Sequence, residues 1–324
     1  MATHSFLYLS RADVEKINLP MNEIIAALER MFHEKGEGRT EMPPKPGIHP
    51  RADAFIHAMP AHIPSLESAG IKWVAGFPQN QARGLPYISG LLILNDPETG
   101  FPLAVMDCTW ITAKRTGAAT AVAARHLAHK DSSSVGIVAC GVQGRSNLEA
   151  LACCFPIKKV KAYDIRPDIA QRYAAEMSKE LGIEIEPVEN LAEAVQNLEM
   201  VVTSGPILKN PQPAIPAGWL AEGAFANLVD YDSYWTGAAL READKLATDD
   251  KAQMAAHRRD GYFRETPEPY ADLGEIVAGK KPGRESARER NIAINLGLAL
   301  DDMVTAIFIY RKALEAGIGS ELPL

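Results

Sequence analysis

VGIVACGVQG (Val135–Gly144) is a short apolar strand that runs directly into a glycine turn and then into the helical stretch RSNLEALACCF. A dinucleotide-binding turn needs a tight chain reversal, a glycine where the pyrophosphate comes closest, and a small residue where the helix packs on the strand. Gly141 and Gly144 fill the second and third of these places, and Ala139 stands where the first glycine usually sits. The N–H groups of such a turn, together with the helix start, hold pyrophosphate. Asp164 closes the next strand, in KAYDIRP, twenty residues beyond Gly144. A carboxylate there accepts the ribose hydroxyls and repels a 2′-phosphate, which favours NAD. Arg166, two residues on, keeps NADP possible, although a solvated surface charge reads equally well.

Outward from this turn the chain alternates strand and helix: KVKAYDI, DIAQRYAAEMSKEL, IEIEPV, a helix at LAEAVQN, then MVVTSGP, AFANLVDYD and DKLATDD. That alternation predicts a parallel sheet covered by helices, a Rossmann-type α/β domain over about 117–302. Before it, FLYLS is a strand and MNEIIAALERMFHEKGEG an amphipathic helix. MPPKPGIHPRADAF is a loop, and FIHAMP, AGIKWVAGF, YISGLLILND and PLAVMD are strands, the last two a hairpin. Residues 1–116 thus form an α+β domain, completed by about 303–324. The segment 111–129 is an Ala-rich helix, and RNIAINLGLALDDMVTAIFIYRKALEAGIG reads as one long helix with a glycine stop.

The 324 residues suffice for two cores, and 47% of them are apolar. A net charge of −7 opposes nucleic acid or anionic lipid as the main partner. No apolar run has the ~20 residues of a membrane span, and MATHSFLYLSRADVEKI lacks the pattern of an export signal. Cys108, Cys140, Cys153 and Cys154 have no metal-binding spacing and read as reduced packing residues of a cytoplasmic protein. His49, His57 and His62 lack a helical ligand spacing, so no metal is expected.

Several further stretches resemble the ornithine cyclodeaminase/mu-crystallin family, which includes alanine dehydrogenases and imino-acid reductases. They are MPPKPGIHP, AGIKWVAGFPQNQARGLP, NDPETGFPLAVMD, ITAKRTGAATAVAARHLA, ACGVQG, GAFANLVDYD and INLGLALDD. The resemblance implies a Rossmann domain beside a substrate and dimerisation domain built from both chain ends, and hence a homodimer. It makes Lys72 a proton carrier and substrate contact, Arg115 a contact to substrate carboxylate and cofactor, and Asp232 a catalytic acid/base. It places Val142 and Gln143 at the pyrophosphate, Asp164 at the ribose, and Thr116, Ser204, Val229 and Asn295 along the cofactor. Three positions depart from the family pattern: Lys45 stands for an arginine that anchors carboxylate, Asp230 for a glycine, and Tyr87 for a threonine.

The chemistry of these residues suits hydride removal at an amino-acid α-carbon. Arg115 and Lys45 supply positive charge for a carboxylate. Lys72, between Ile71 and Trp73 on an apolar strand, suits a lowered pKa and a role as base. Asp232, at a strand's C-terminal end, lies where open α/β sheets place reacting groups. Against these stand plainer readings: Lys72 snorkelling at a strand edge, Arg115 pairing with Asp107, Asp232 capping a turn, and Trp73, Trp110 and Trp235 as core or cleft wall. The expected function is an NAD(P)-dependent amino-acid dehydrogenase or imine reductase acting on a small substrate. The alternatives are a redox-neutral cyclodeaminase, for which Asp230 offers a partner to a distal ammonium, and a non-catalytic binding protein of mu-crystallin type.

Overall fold

A computed structural model describes residues 4–324. Residues 1–3, which begin the stretch searched for an export signal, lie outside the described residues. The strands, in chain order, are β1 Ser5–Leu9, β2 Gly47–Ile48, β3 Phe55–Ile63, β4 Ser68–Gly76, β5 Ile88–Asn95, β6 Pro102–Asp107, β7 Ser134–Val138, β8 Lys159–Tyr163, β9 Ile185–Pro187, β10 Met200–Thr203, β11 Phe225–Leu228, β12 Lys245–Thr248, β13 Ala271–Asp272, β14 Asn291–Ile294 and β15 Ser320–Pro323. The helices are α1 Arg11–Ile17, α2 Met21–Gly36, α3 Thr109–Leu127, α4 Val142–Cys154, α5 Pro167–Leu181, α6 Gly237–Leu240, α7 Lys251–Arg259, α8 Leu273–Val277 and α9 Ala299–Ala316.

The described residues divide into two compact units. The first is the chain up to Arg115 together with Leu298–Leu324, and the second is Thr116–Gly297. The first unit is a seven-stranded sheet in the order β15-β1-β6-β5-β4-β3-β2, antiparallel except where β1 runs beside β6. Strict alternation on β4 sends Ser68, Lys72 and Val74 to one face and Trp73 to the other. Helix α9 packs on the first of these faces, where Ser68 Oγ donates to the Met303 carbonyl at 2.9 Å. Each apolar side chain buried there contributes on the order of 1.5–3 kcal/mol.

The second unit is an eight-stranded, all-parallel sheet in the order β13-β12-β14-β11-β10-β7-β8-β9. From β7 the chain winds outward to β8 and β9, then returns to β10 on the other side. The strand order therefore reverses between β7 and β10, and such a switch point opens a crevice at the carboxyl ends of the strands.

Two elements differ from the sequence reading. The run RNIAINLG is not helical: Asn291–Ile294 is the fully buried strand β14, inserted between β11 and β12. A short continuous apolar run fits a buried strand as well as a helix, and Gly297 at φ +79° separates it from α9. The helix expected at LAEAVQN is a single 3-10 turn, Leu191–Ala194, followed by Asn197 in the left-handed region at φ 58°. Strand β3 also runs past Pro60 to Ile63. Ala58 N and His62 N, on either side of Pro60, bond outward to Pro46 and Glu41 at the sheet margin, where a proline is tolerated.

Candidate functional site

In the first unit the structure brings Lys72 and Arg115 together through a carboxylate that sequence reasoning did not single out. Lys72 is fully buried on the interior strand β4, which removes the snorkelling reading. Its Nζ lies 2.7 Å from Asp302 Oδ2 and donates to Thr112 Oγ1 at 3.3 Å. The other oxygen of Asp302 receives Arg115 Nε at 3.0 Å, and Arg115 Nη1 lies 3.3 Å from Asp301 Oδ2. Two cations and two carboxylates thus close a buried, charge-balanced cluster. Such pairing is what allows four charged groups to be out of water at all.

Both aspartates sit in the first turn of α9, where the helix dipole favours negative charge. Asp301 also takes the Leu298 N–H at 3.0 Å, which fixes the helix start. Asp107, weighed as a partner of Arg115, has a further role. It accepts from Thr109 N and Oγ1 at 2.9 and 3.1 Å, capping the start of α3. Burial pulls the Lys72 ammonium below the ordinary lysine range, with Asp302 opposing the shift and Arg115 adding to it. Lys45 lies half-buried on the segment before β2, two strands from β4 in the sheet order.

In the second unit the carboxyl ends of β7, β8, β10, β11 and β14 carry the remaining expected residues. Ala139 adopts φ 74°, so the alanine in the first-glycine place takes the left-handed turn at a strain of about 1–2 kcal/mol. Gly141 is the residue before α4; no side chain caps the helix, and a Cβ there would meet open space. The unpaired N–H groups of the first turn of α4, with the exposed Val142 and half-exposed Gln143, therefore form an anion cradle.

Gly144 serves a different need. A Cβ at that position would stand 2.5 Å from the Ala139 carbonyl oxygen, so only glycine lets α4 lie this close to β7. Gly144→Ala is expected to weaken NADH binding about tenfold or more and to destabilise the chain by about 1–3 kcal/mol. Fluorescence titration with NADH checks this, and an unchanged affinity would remove the turn from the site.

Asp164 holds the turn from the neighbouring strand: Oδ2 accepts from Cys140 N at 2.9 Å and Oδ1 from Arg166 N at 3.0 Å. The Arg166 guanidinium is largely exposed, with Nε 3.9 Å from Asp164 Oδ1. Ser204 Oγ donates to the Ala139 carbonyl at 3.0 Å, tying the end of β10 to the same turn. Val229 N bonds to Thr203 O at 2.9 Å, and Thr116 is buried on α3. Asn295, just past β14, is 4% exposed, yet both its Oδ1 and Nδ2 lack any partner among the described residues. A buried amide with neither atom satisfied calls for a polar ligand group. The uncapped cradle, the open space at Gly141, the Asp164 carboxylate and this amide together fit a dinucleotide.

Two acids follow β11. Asp232 is half-buried and accepts from Thr266 Oγ1 at 2.8 Å, and burial raises its pKa. Asp230 is fully buried, Thr203 Oγ1 and Gly205 N donate to it at 2.9 and 3.0 Å, and burial pushes it up to about 7. A carboxyl whose pKa rises on folding contributes its stability below the ordinary aspartate range and loses it as pH climbs towards 7. Asp230→Asn should therefore flatten the stability profile between about pH 4 and 7 and gain on the natural chain above that window. Urea unfolding at several pH values reads the difference, and parallel profiles would contradict it.

The histidines do not form a centre: the His57 ring stacks on Phe55 at 4.3 Å, and the His49 ring is 6.3 Å from it. Among the described residues no group of three His, Cys, Asp or Glu side chains is placed to hold a metal ion, and no helix is long and apolar enough to cross a membrane. Among the described residues Cys108, Cys140, Cys153 and Cys154 form no disulfide. Trp235 is core, whereas Trp73 is 50% exposed.

The model of the ornithine cyclodeaminase/mu-crystallin family matches residues 6–317. The chain belongs to the ornithine cyclodeaminase/mu-crystallin family. Within that family it is 37% identical to an alanine dehydrogenase of Archaeoglobus fulgidus, over 98% of each chain. The Δ1-pyrroline-2-carboxylate reductase of Thermococcus litoralis, solved with NADH and L-proline, is 38% identical with a TM-score of 0.89, covering 98% of this chain and 100% of its own. An archaeal alanine dehydrogenase dimer solved with NAD is 35% identical with a TM-score of 0.88, covering 99% of this chain and 100% of its own.

Proposed function

We propose that the chain is an NAD-dependent oxidoreductase that interconverts a small α-amino acid with its imino or 2-oxo acid. The observation that carries this reading is the buried Lys72, held against Asp302, which also engages Arg115. A buried, paired lysine with a lowered pKa is what proton exchange with a substrate nitrogen near neutrality requires. The relatives named above act on this chemistry, and the dinucleotide would be held by Gly141, Val142, Gln143, Asp164, Ser204, Val229, Asn295 and Thr116.

Bound there, NAD would supply the acceptor for the α-carbon hydride in the oxidative direction, and NADH the donor in the reductive one. The chain's residues handle the rest. Arg115, with Lys45, fixes the carboxylate, and a guanidinium fork does so with defined geometry. Lys72 Nζ takes one proton from the amine as the C=N bond forms, and gives it back on reduction. Asp232, its carboxyl kept protonated to higher pH than usual, serves the water that converts imine to 2-oxo acid and ammonia.

Asp230, the acid weighed as a partner for a distal ammonium, has both oxygens engaged by Thr203 and Gly205, so no observation favours the cyclodeaminase reading. The test is NADH oxidation, followed at 340 nm, with ammonia and a panel of 2-oxo acids, and with cyclic imines. Turnover of one or more is expected, and none with any would defeat the proposal. The cytoplasm, where NADH is regenerated and thiols stay reduced, is the compartment this reading implies.

The enzyme is proposed to work as a homodimer through the face of the first unit's sheet opposite α9. Tyr8, Val105, Ile93, Ile71 and Pro60 form one apolar row across five strands, and Trp73 pairs with Leu91 beside it, 50% and 47% exposed. An apolar patch of that extent is characteristic of an interface, and a similar alanine dehydrogenase is a dimer. Trp73→Asp is expected to give a monomer in light scattering; a wild-type monomer, or an intact dimer in the variant, would exclude this face.

A further inference from the structure

Two fixed side chains, Thr112 and Asp302, face Lys72 Nζ. Thr112 Oγ1 gives its single proton to the Cys108 carbonyl at 2.7 Å, so towards Nζ, 3.3 Å away, it can only accept. The carboxylate of Asp302 faces Nζ as an ion pair, with Oδ2 2.7 Å away. All three side chains are buried, so water does not compete for these contacts. One N–H of Nζ is thus directed at Thr112, and the ion pair with Asp302 sets the charge beside it.

We propose that Asp302, assisted by Thr112, is the positioning residue of the proposed reaction: it holds Lys72 Nζ for proton exchange with the substrate nitrogen and links the charge of Lys72 to that of Arg115. This deepens the dehydrogenase reading and rests on it. The step it serves moves one proton from the substrate nitrogen to Nζ, and no other bond to Lys72 changes. The charged and titratable groups around Nζ are Asp302 on α9, Arg115 on α3 and the Cys108 thiol just before it. Of these only the carboxylate favours the ammonium strongly, and it does so against burial. Without it, Lys72 loses its proton at lower pH.

Three variants and two readouts test the proposal. Asp302→Asn, Thr112→Val and Thr112→Ser are compared with the natural chain. The readouts are the pH dependence of kcat/KM for amino-acid oxidation and NMR titration of Lys72 in protein carrying ¹³C-lysine, which needs no turnover. Asp302→Asn is expected to move both the acid limb and the Lys72 titration to lower pH by about one unit and to cut kcat about tenfold or more, with NADH affinity unchanged. Thr112→Val produces a smaller shift of the same sign, and Thr112→Ser restores the natural values.

Loss of rate in Asp302→Asn with the titration unmoved would mean a purely structural role and overturn the proposal. If that variant does not fold, the threonine pair decides, and natural kcat and titration in Thr112→Val overturn it. Failure of the natural chain to turn over any amino acid or imine defeats the proposed function instead, and the NMR titration still reports whether Asp302 governs the ionisation of Lys72.

Discussion

Lys72→Met lowers kcat by about 10²–10⁴-fold, the usual worth of a positioned proton carrier, while leaving NADH binding near its natural strength. Methionine keeps an unbranched side chain of similar length on β4, so the change removes the nitrogen rather than the packing. Asp302 keeps its contact to Arg115 Nε at 3.0 Å, so no buried carboxylate is left without a cation. The dinucleotide contacts proposed above, at Gly141, Asp164 and Asn295, belong to the second unit and are untouched. Steady-state kinetics and NADH fluorescence titration on the same preparation separate the two effects. A variant within threefold of the natural kcat would show that Lys72 carries no proton, whereas joint loss of rate and cofactor binding would point to misfolding. A non-catalytic binding protein has no rate to lose, so the experiment also distinguishes that alternative.

The parts of this molecule legible in the sequence were those governed by local rules. Alternating apolar runs and glycine turns foretold the parallel sheet, because strand periodicity and turn chemistry act over a few residues. Gly141, Gly144 and Asp164 could be read because the turn they build is contiguous or one strand away. Lys72, Arg115 and Asp232 were singled out through family resemblance; composition alone would have left Lys72 an ordinary strand lysine.

Asp302 was out of reach. Two adjacent acids in a helical first turn read as dipole partners, and nothing local says that one will meet an arginine 187 positions earlier in the chain. Asn295 was expected along the cofactor only by resemblance. That its amide is buried and unsatisfied is a property of the folded sheet edge, not of the string INLG. The strand at Asn291–Ile294 was lost for another reason: a fully buried strand has no polar face, so its periodicity disappears into that of the adjoining helix.

Arg115→Leu is expected to destabilise the first unit by about 3–5 kcal/mol, because it leaves Asp301 and Asp302 with Lys72 as the one remaining cation of the cluster. Removing one partner of a buried pair costs more than the pair contributed, since the charges that remain still lack water. Both aspartate side chains are 0% exposed, so solvent screening offers no relief. At about 2–4 °C per kcal/mol, the thermal midpoint falls on the order of 10 °C. Arg115→Lys restores one charge without the fork and recovers part of the midpoint, but less of the carboxylate binding, so KM for the amino acid stays raised. Thermal scans of both variants at pH 5 and pH 8 give the result; equal midpoints in natural chain and Arg115→Leu at pH 8 would mean that the four charges do not stabilise the fold as the geometry requires.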